Sequence, residues 1–302
     1  MLKPLSYLRG LFAGLLLVLN TAVICVPLFF FALLKLLIPL HSWRTACNHV
    51  LDTIQGAWIS GNRLWLRGPE KVSYHGAPLR KDRWCLVTCN HQAWADIFIV
   101  QSLLNRQLPQ MKFFLKQELL WVPVVGLCWW ALDFPFMKRY NREQLKKNPK
   151  KLGKDLETAH NACRKFRDRP VAIFNFMEGT RFTAAKHQQQ KSPFAHLLKP
   201  KVAGTGLVLD VMGKDLHSLV DLTIHYQGKV PGMLALLRGD YGQVSVQIHQ
   251  REIPPELRGR NYGSDKEFRG LLQSWVHQLW EEKDQTLEKF SAGETTLQST
   301  GG

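Results

Sequence analysis

The fold is decided by the stretch WCLVTCNHQAWADIFIV, residues 84–100. Residues 84–89 form an apolar run that predicts a buried strand, and the apolar run from residue 97 onward predicts a helix. His91 and Asp96 lie in the connection between the two. A continuous helix would hold the two side chains about 140° apart around its axis. A loop after the strand, by contrast, can bring the His91 imidazole back to the Asp96 carboxylate. That carboxylate would lie in the first helical turn, where negative charge is favoured. The stretch therefore predicts a His–Asp pair, either the base half of a catalytic triad or an ordinary helix cap.

The composition indicates a partner that carries negative charge. The 302 residues include 40 Lys and Arg against 24 Asp and Glu, a net charge of +16, which favours nucleic acid or an anionic lipid surface. The six cysteines are scattered, mostly in apolar runs, without a CxxC spacing. This pattern predicts reduced core thiols in a cytoplasmic setting, rather than disulfides or zinc ligands.

The N-terminal part of the sequence contains a long apolar segment. Residues 11–34 include no charged side chain, and as a helix they reach about 36 Å, more than a bilayer core of about 30 Å. We therefore predict a membrane anchor over residues 1–45. Pro27 lies inside the segment and leaves open a single crossing helix or a re-entrant hairpin. Basic residues flank both ends, so their distribution does not decide between the two.

Strands and helices alternate through the rest of the chain. Apolar or alternating runs predict strands at 171–176, 220–226 and 244–248, and helical periodicity predicts helices at 152–167 and 204–212. This alternation predicts an α/β fold, with one layered domain over residues 46–290 that has a central mixed sheet flanked by helices. A disordered tail is predicted over residues 291–302.

Three further segments carry local signals. Ser264 and Glu267 match a capping box that opens a C-terminal helix. Residues 183–201 are polar and basic, which predicts a loop. The Trp-rich run 119–132 is too short to span a bilayer, and it is either a buried helix or a segment that enters one leaflet, where Trp is favoured.

A polar block follows the strand predicted at residues 171–176. It reads Glu178-Gly179-Thr180-Arg181. Glycine lets the backbone approach a ligand closely, and the arginine fork matches phosphate, so the block predicts an anion clamp. The same four residues also match an ordinary turn closed by a salt bridge.

Four short blocks of the sequence, taken in chain order, form one combined pattern. They are Asn90-His91-x4-Asp96, Phe136-Met137-Lys138-Arg139, Phe176-Met177-Glu178-Gly179-Thr180-Arg181 and the strand Val220 to Tyr226. Together they resemble the lysophospholipid acyltransferase (PlsC-like) family, glycerolipid O-acyltransferases typified by 1-acylglycerol-3-phosphate acyltransferase, and more narrowly its inner-membrane proteobacterial members. The sequence departs from the family pattern at Met177, where the family has Pro, and at residues 133–135 before the second block. The fourth block lacks the family's Pro, so no site residue is taken from it.

The resemblance implies a reaction. A fatty acyl group passes from a thioester to the free glycerol hydroxyl of a lysophospholipid, with 1-acylglycerol-3-phosphate as the expected acceptor and phosphatidic acid as the product. A glycerol hydroxyl is a poor nucleophile, so His91 is implied as the general base and Asp96 as the group that holds its ring. Six substrate-binding residues are implied as well: Lys116, Arg139, Glu178, Gly179, Thr180 and Arg181.

Those six residues have different expected roles. Arg181, Arg139 and Lys116 supply cations for the acceptor phosphate. Glu178 orients Arg181 or the acceptor hydroxyls, and Gly179 lets the backbone close on the phosphate.

The resemblance also implies the partners and the location. Acyl-CoA or acyl-ACP is the co-substrate, with no other cofactor and no metal, and the partners are the bilayer, the lysophospholipid and the acyl carrier, not nucleic acid. The expected location is the bacterial inner membrane, with the catalytic domain facing the cytoplasm. Two alternatives stay open. One is a family member that acts on a lyso-ornithine lipid or a lipid A precursor. The other is a membrane-tethered nucleic-acid-binding protein without catalysis, for which the sequence offers no known binding motif.

Overall fold

The computed structural model describes residues 3–69, 71–137, 161, 166 and 169–293. Apart from residues 161 and 166, the helix predicted over 152–167 lies outside these ranges. Most of the predicted tail, from residue 294 onward, lies outside them too.

A mixed sheet forms the centre of the protein. The strands of the described residues are β1 (Lys71–His75), β2 (Cys85–Cys89), β3 (Met111–Phe113), β4 (Leu115–Lys116), β5 (Phe136–Met137), β6 (Ala172–Asn175), β7 (Ser218–Tyr226) and β8 (Val244–Glu252). Six of them form the main sheet in the order β1-β8-β7-β2-β6-β3. Neighbours are parallel except β7 and β8, which are antiparallel, while β4 and β5 pair in a separate parallel ribbon. The carboxyl ends of β7, β2, β6 and β3 therefore lie at one edge.

Helices cover both faces of this sheet. They are α1 (Lys3–Leu37), α2 (His41–Asn62), α3 (Ala95–Leu104), α4 (Val125–Ala131), α5 (Ala184–Gln190), α6 (Ala203–Met212), α7 (Met233–Arg238) and α8 (Lys266–Ser291), with 3₁₀ segments at Gln117–Trp121 and Pro255–Leu257. Val87 of β2 points into a core with α3 and α7, and its neighbour Leu86 points into a second core with α6 and α8. The predicted α/β class, with a central mixed sheet flanked by helices, is confirmed.

The strand β2 lies inside the sheet, between β7 and β6. All five of its residues are buried. An apolar strand that is covered on both faces reads as a continuous hydrophobic run, which is why residues 84–89 show no alternation. The chain therefore leaves β2 in the middle of the carboxyl edge, and His91 follows there.

The N-terminal helix α1 is continuous from Lys3 to Leu37 and passes through Pro27. Proline removes one backbone donor and often kinks a helix, yet no hairpin forms within residues 3–37. By length and composition the helix could cross a membrane. Residues 3–37 therefore form one continuous helix and not a re-entrant hairpin.

One face of α1 contacts the rest of the protein along the whole helix. Near its start the Arg238 guanidinium lies 3.8 Å from the centre of the Tyr7 ring. In the middle the Asn20 side chain donates to the backbone of α2 at 2.9 Å, and near the end Lys35 forms an ion pair with Asp133. The outer face exposes large apolar side chains: Leu8, Leu11, Phe12, Leu15, Val18, Leu19, Val23 and Val26. Such a face needs a partner or a lipid phase to cover it.

The Trp-rich run 119–132 is not a single buried helix. Its first part is the 3₁₀ segment Gln117–Trp121 and its second part is α4. Pro123 separates them, because proline cannot continue a helix. Trp121 is 82% exposed and Trp130 is 51% exposed, so the buried-helix alternative is wrong.

Two local predictions need correction. The cap of α8 is Asp265, whose side chain accepts from the Phe268 N–H at 2.9 Å, while Ser264 donates to Asn261 instead. The segment 183–201, predicted as a loop, contains α5, which Thr183 caps by accepting from the Lys186 N–H. At α8 the residue next to the expected cap supplies it, whereas residues 183–201 carried no predicted cap.

Candidate active site

A His–Asp pair stands at the carboxyl end of β2. Nδ1 of His91 lies 3.0 Å from Oδ2 of Asp96. The imidazole follows β2, and the carboxylate lies in the first turn of α3, as the strand–loop–helix connection predicts. Asp96 is fully buried, whereas the His91 side chain keeps some exposure toward the carboxyl edge.

The Asp96 carboxylate accepts four hydrogen bonds. Besides the imidazole, Oδ2 accepts the backbone N–H groups of Gln92 at 2.6 Å and Ala93 at 2.9 Å. The other oxygen, Oδ1, accepts the Tyr226 hydroxyl at 2.7 Å. The carboxylate therefore both closes the loop and holds the imidazole, which combines the two alternatives that the sequence left open.

These contacts determine the tautomer of His91. An ionised carboxylate can only accept hydrogen bonds, so the ring nitrogen that faces Asp96 must carry the proton. Nε2 of His91 is then left with a free lone pair. A neutral imidazole in this orientation can take a proton from a substrate hydroxyl.

Tyr226 is a positioning residue that the sequence did not identify. Burial, together with the adjacent Asp96 charge, raises the pKa of Tyr226 well above its usual value. The phenol therefore stays protonated and acts as a permanent donor to the carboxylate. It lies at the end of β7, in the fourth block, from which no site residue was taken.

The loop after β6 is hydrogen-bonded to the loop after β2. Oε1 of Glu178 accepts the His91 N–H at 2.8 Å, and Oε2 accepts the Leu198 N–H at 3.1 Å. In the opposite direction the Phe182 N–H donates to the His91 carbonyl at 2.7 Å. The Phe176 ring stacks on the imidazole with 3.8 Å between ring centroids. His91 is thus held by backbone, ring and carboxylate contacts at once.

The position of Glu178 differs from the predicted role. Its side chain is fully buried, and both carboxylate oxygens bind backbone N–H groups rather than Arg181. Glu178 therefore positions the two loops. Its burial raises the pKa of the carboxyl to about 7, against the opposing effect of those two N–H groups.

Glu178→Gln tests that shift through stability. The folded protein keeps the Glu178 proton up to about pH 7, whereas the unfolded chain releases it near its ordinary pKa, so this group destabilises the fold as the pH rises through that interval. Between about pH 4.5 and 7 we expect the wild type to lose about 3 kcal/mol of unfolding free energy relative to Glu178→Gln. Denaturant unfolding at both pH values, with the exposed Glu256→Gln as control, measures it. Parallel pH profiles for the wild type and Glu178→Gln would contradict it.

Cations surround the predicted anion clamp. The Arg181 guanidinium is exposed and lies over the Trp94 ring, 5.5 Å from its centroid. Nζ of Lys186 donates to the Thr180 hydroxyl at 2.8 Å and to the Arg181 carbonyl at 3.0 Å. Trp94 belongs to the His91 loop, so Arg181 and His91 open onto the same edge of the sheet.

Gly179 is favoured by its backbone conformation. Its φ is +69°, in the left-handed region that side chains disfavour. A Cβ atom at this position would lie 3.2 Å from Nζ of Lys201. Lys201, like Lys186, was assigned no role from the sequence, and the only hint was the basic character of residues 183–201.

Two further cations, Lys116 and Arg139, were predicted from the sequence, and the structure describes only Lys116. Lys116 is exposed and follows the carboxyl end of β3, at the same edge as His91. Arg139 lies outside the described residues.

The described part of the chain offers little support for catalysis by a cysteine nucleophile or a bound metal. Cys89 lies next to the His91 loop, but burial raises its thiol pKa well above the usual value, so it does not supply a thiolate nucleophile. No group of three or more metal-binding side chains occurs among the described residues.

Comparisons with known proteins show what the chain is similar to. The sequence model of the Acyltransferase family matches residues 71–203. The chain is 27% identical over 243 residues to the 1-acyl-sn-glycerol-3-phosphate acyltransferase delta of Bos taurus, covering 75% of this chain and 59% of that protein. It is 26% identical over 218 residues to the gamma form of Mus musculus, covering 68% and 53%. The chain thus spans less than two thirds of the length of these relatives.

A solved structure shares the fold. The crystal structure of the 1-acyl-sn-glycerophosphate acyltransferase PlsC from Thermotoga maritima superposes with a TM-score of 0.52 at 18% identity, covering 94% of this chain and 98% of that one. Fold, site and family match define an acyltransferase domain built on a mixed α/β sheet. Residues 71–203 match the Acyltransferase family, and the chain is similar to 1-acyl-sn-glycerol-3-phosphate acyltransferases.

Proposed function

We propose that this protein transfers a fatty acyl group from an acyl thioester to the free glycerol hydroxyl of 1-acylglycerol-3-phosphate, giving phosphatidic acid. The observation that carries the proposal is the 3.0 Å contact between His91 and Asp96, beside the exposed Arg181 fork. The relatives that are named 1-acyl-sn-glycerol-3-phosphate acyltransferases support the choice of acceptor.

The chemistry needs one base and no covalent intermediate. Nε2 of His91 takes the proton of the acceptor hydroxyl as its oxygen attacks the thioester carbonyl, and Asp96 stabilises the imidazolium that forms. When the tetrahedral adduct collapses, the C–S bond breaks and the thiolate recovers the proton from Nε2. A thiolate is already a good leaving group, so the acceptor can attack directly without a Ser or Cys nucleophile.

The reaction itself is the first test of the proposal. The purified protein is incubated with 1-acylglycerol-3-phosphate, 1-acylglycerol, lyso-ornithine lipid or a lipid A precursor, each with acyl-CoA or acyl-ACP. We expect phosphatidic acid from the first acceptor at the highest kcat/KM. Preferred acylation of another acceptor would overturn the assignment of the substrate while leaving the family assignment intact.

Arg181 is proposed to bind the acceptor phosphate. Its guanidinium is exposed beside Trp94, and a charge-assisted hydrogen bond to phosphate is worth about 1.5–3 kcal/mol. We therefore expect Arg181→Gln to lower kcat/KM for 1-acylglycerol-3-phosphate by about 10–100-fold and for neutral 1-acylglycerol much less. Arg106→Gln, an exposed arginine beyond the far end of α3, is the control. An equal loss with both acceptors would contradict the phosphate role.

We also propose that the protein rests on the cytoplasmic side of a bacterial inner membrane. Because α1 contacts the domain from Tyr7 to Lys35, a crossing helix would carry the polar domain into the hydrocarbon. A helix that lies in the membrane plane with its apolar face in the lipid avoids that cost. The exposed side chains from Leu8 to Val26 form that face.

Charges on the apolar face of α1 test this placement. Burying an exposed leucine contributes about 1.5 kcal/mol or more, so Leu15→Glu together with Leu19→Glu should lower membrane partitioning about a hundredfold. Sedimentation of the full-length protein with vesicles measures it. Leu271→Glu, at an exposed position of α8 on the opposite face of the sheet, is the control. Unchanged sedimentation of the double variant would contradict the placement.

A further inference from the structure

A second cationic pocket lies away from the candidate active site. It has a volume of about 400 Å³ and lies between the end of α1, the start of α2, α4 and Arg169. Arg169 precedes β6, whereas His91 follows β2, and these strands are parallel neighbours. The two sites are therefore at opposite ends of the sheet.

The pocket has a buried arginine with an unused donor. Arg169 is only 5% exposed. Its Nη1 atom donates to Asp52 and to the Asn48 carbonyl, and its Nη2 lies 3.7 Å from Asp133. Its Nε atom, by contrast, has no hydrogen-bond partner in the described part of the chain. A buried donor without a partner is costly, and a ligand in this pocket that accepts hydrogen bonds would satisfy it.

Positive charge exceeds negative charge around this pocket. Within the described ranges, the carboxylates of Asp52 and Asp133 are shared by Lys35, Arg169 and the buried Lys112. Arg44 and His41 add further basic groups to the lining. The described cluster is thus short of anions, which an anionic ligand would supply.

The first turn of α2 adds to this preference. The helix begins at His41, and its N-cap, Leu40, offers no side-chain acceptor to the free N–H groups. Helix N-termini with free N–H groups attract phosphate. His41 and Arg44 of this turn line the pocket.

The other wall of the pocket is apolar and continues the lipid-facing surface. It includes Leu36 of α1 and Trp130 of α4, which are 59% and 51% exposed. We propose that this pocket binds the phosphate of an anionic membrane phospholipid, with Arg44 and Arg169 on the phosphate and the acyl chains along Leu36 and Trp130. This inference rests on the proposed placement of α1 in the membrane plane.

The test measures binding rather than turnover, so it is independent of the proposed reaction. The full-length protein in neutral detergent is titrated with dioctanoyl phosphatidylglycerol, and its Tm is followed. We expect a saturable rise of Tm in the wild type. In Arg44→Gln the affinity for the lipid should be lower by about tenfold or more. Lys289→Gln, at the far end of α8, is the matched surface control and should behave as the wild type.

Three results would overturn the proposal. The first is an equal affinity of Arg44→Gln and the wild type. The second is an equal rise of Tm with inorganic phosphate alone, which would assign the pocket to the free ion. The third is loss of the effect in Arg181→Gln, which would place the lipid in the candidate active site instead.

Discussion

Replacing His91 with alanine is expected to lower kcat/KM for acyl transfer by about 10²–10⁴-fold, the usual contribution of a general base. The KM for the acceptor should change little, because the phosphate contacts that we propose come from other residues. The fold should persist, since Asp96 keeps its contacts with the Gln92 and Ala93 N–H groups and with Tyr226. Initial rates of phosphatidic acid formation by the purified protein measure the loss.

A second histidine provides the control for that loss. His277 is exposed on α8, where it lies 3.4 Å from Glu281, one turn further along, and contacts the Phe194 ring. His277→Ala should retain wild-type kcat/KM. Near-wild-type activity of His91→Ala would show that the base is another group, whereas equal losses in both variants would point to a general effect on stability.

The second large effect is expected at Asp96. Asparagine keeps the shape of the side chain but places an N–H₂ group among donors, so the imidazole loses the partner that sets its tautomer. In a catalytic triad the same change lowers kcat by about 10⁴-fold, and we expect a loss of that order in Asp96→Asn. Because buried donors lose their acceptor, the free energy of unfolding should also fall, by about 3 kcal/mol. Rate assays and denaturant unfolding measure the two effects.

Tyr226→Phe is a milder substitution that perturbs the same carboxylate. It removes only the hydrogen bond to Oδ1 and leaves the imidazole, Gln92 and Ala93 contacts in place. We expect a loss of kcat of about tenfold, the value of one hydrogen bond. If Asp96→Asn kept most of the activity, or if Tyr226→Phe lost as much as Asp96→Asn, the bracing role of the carboxylate would be refuted.

The central strand and the His–Asp contact could be predicted from local sequence. The apolar run that becomes β2 is long enough to specify a strand buried on both faces, and the six residues from His91 to Asp96 allow only a few loop geometries. Contacts of this kind depend on neighbours along the chain, which periodicity and capping rules describe.

The rest of the site depends on contacts between distant segments. Tyr226 reaches Asp96 because β7 pairs with β2 in a register that sequence spacing does not reveal. Lys201 lies over Gly179 because its N–H donates to the Met177 carbonyl. The sequence alone shows that residues 183–201 are basic. The fold is needed to show which of these cations lie close to the predicted anion clamp at residues 178–181.

Buried polar groups were misjudged for a related reason. Glu178 is predicted from the sequence to orient Arg181 or the acceptor hydroxyls, since a carboxylate beside an arginine usually forms a surface pair. The structure instead buries it under the Leu198 backbone, where it serves the N–H groups of two loops. Tertiary packing decides which side of a turn faces the solvent, so a four-residue motif alone does not predict that orientation.

The central claim is that the acceptor hydroxyl attacks the thioester directly while His91 takes its proton. The most direct measurement is the release of free thiol from an acyl thioester, with and without 1-acylglycerol-3-phosphate, by the wild type and by His91→Ala. The account predicts release only when the acceptor is present, and its loss in His91→Ala. Acceptor-dependent release at the wild-type rate in His91→Ala would contradict it.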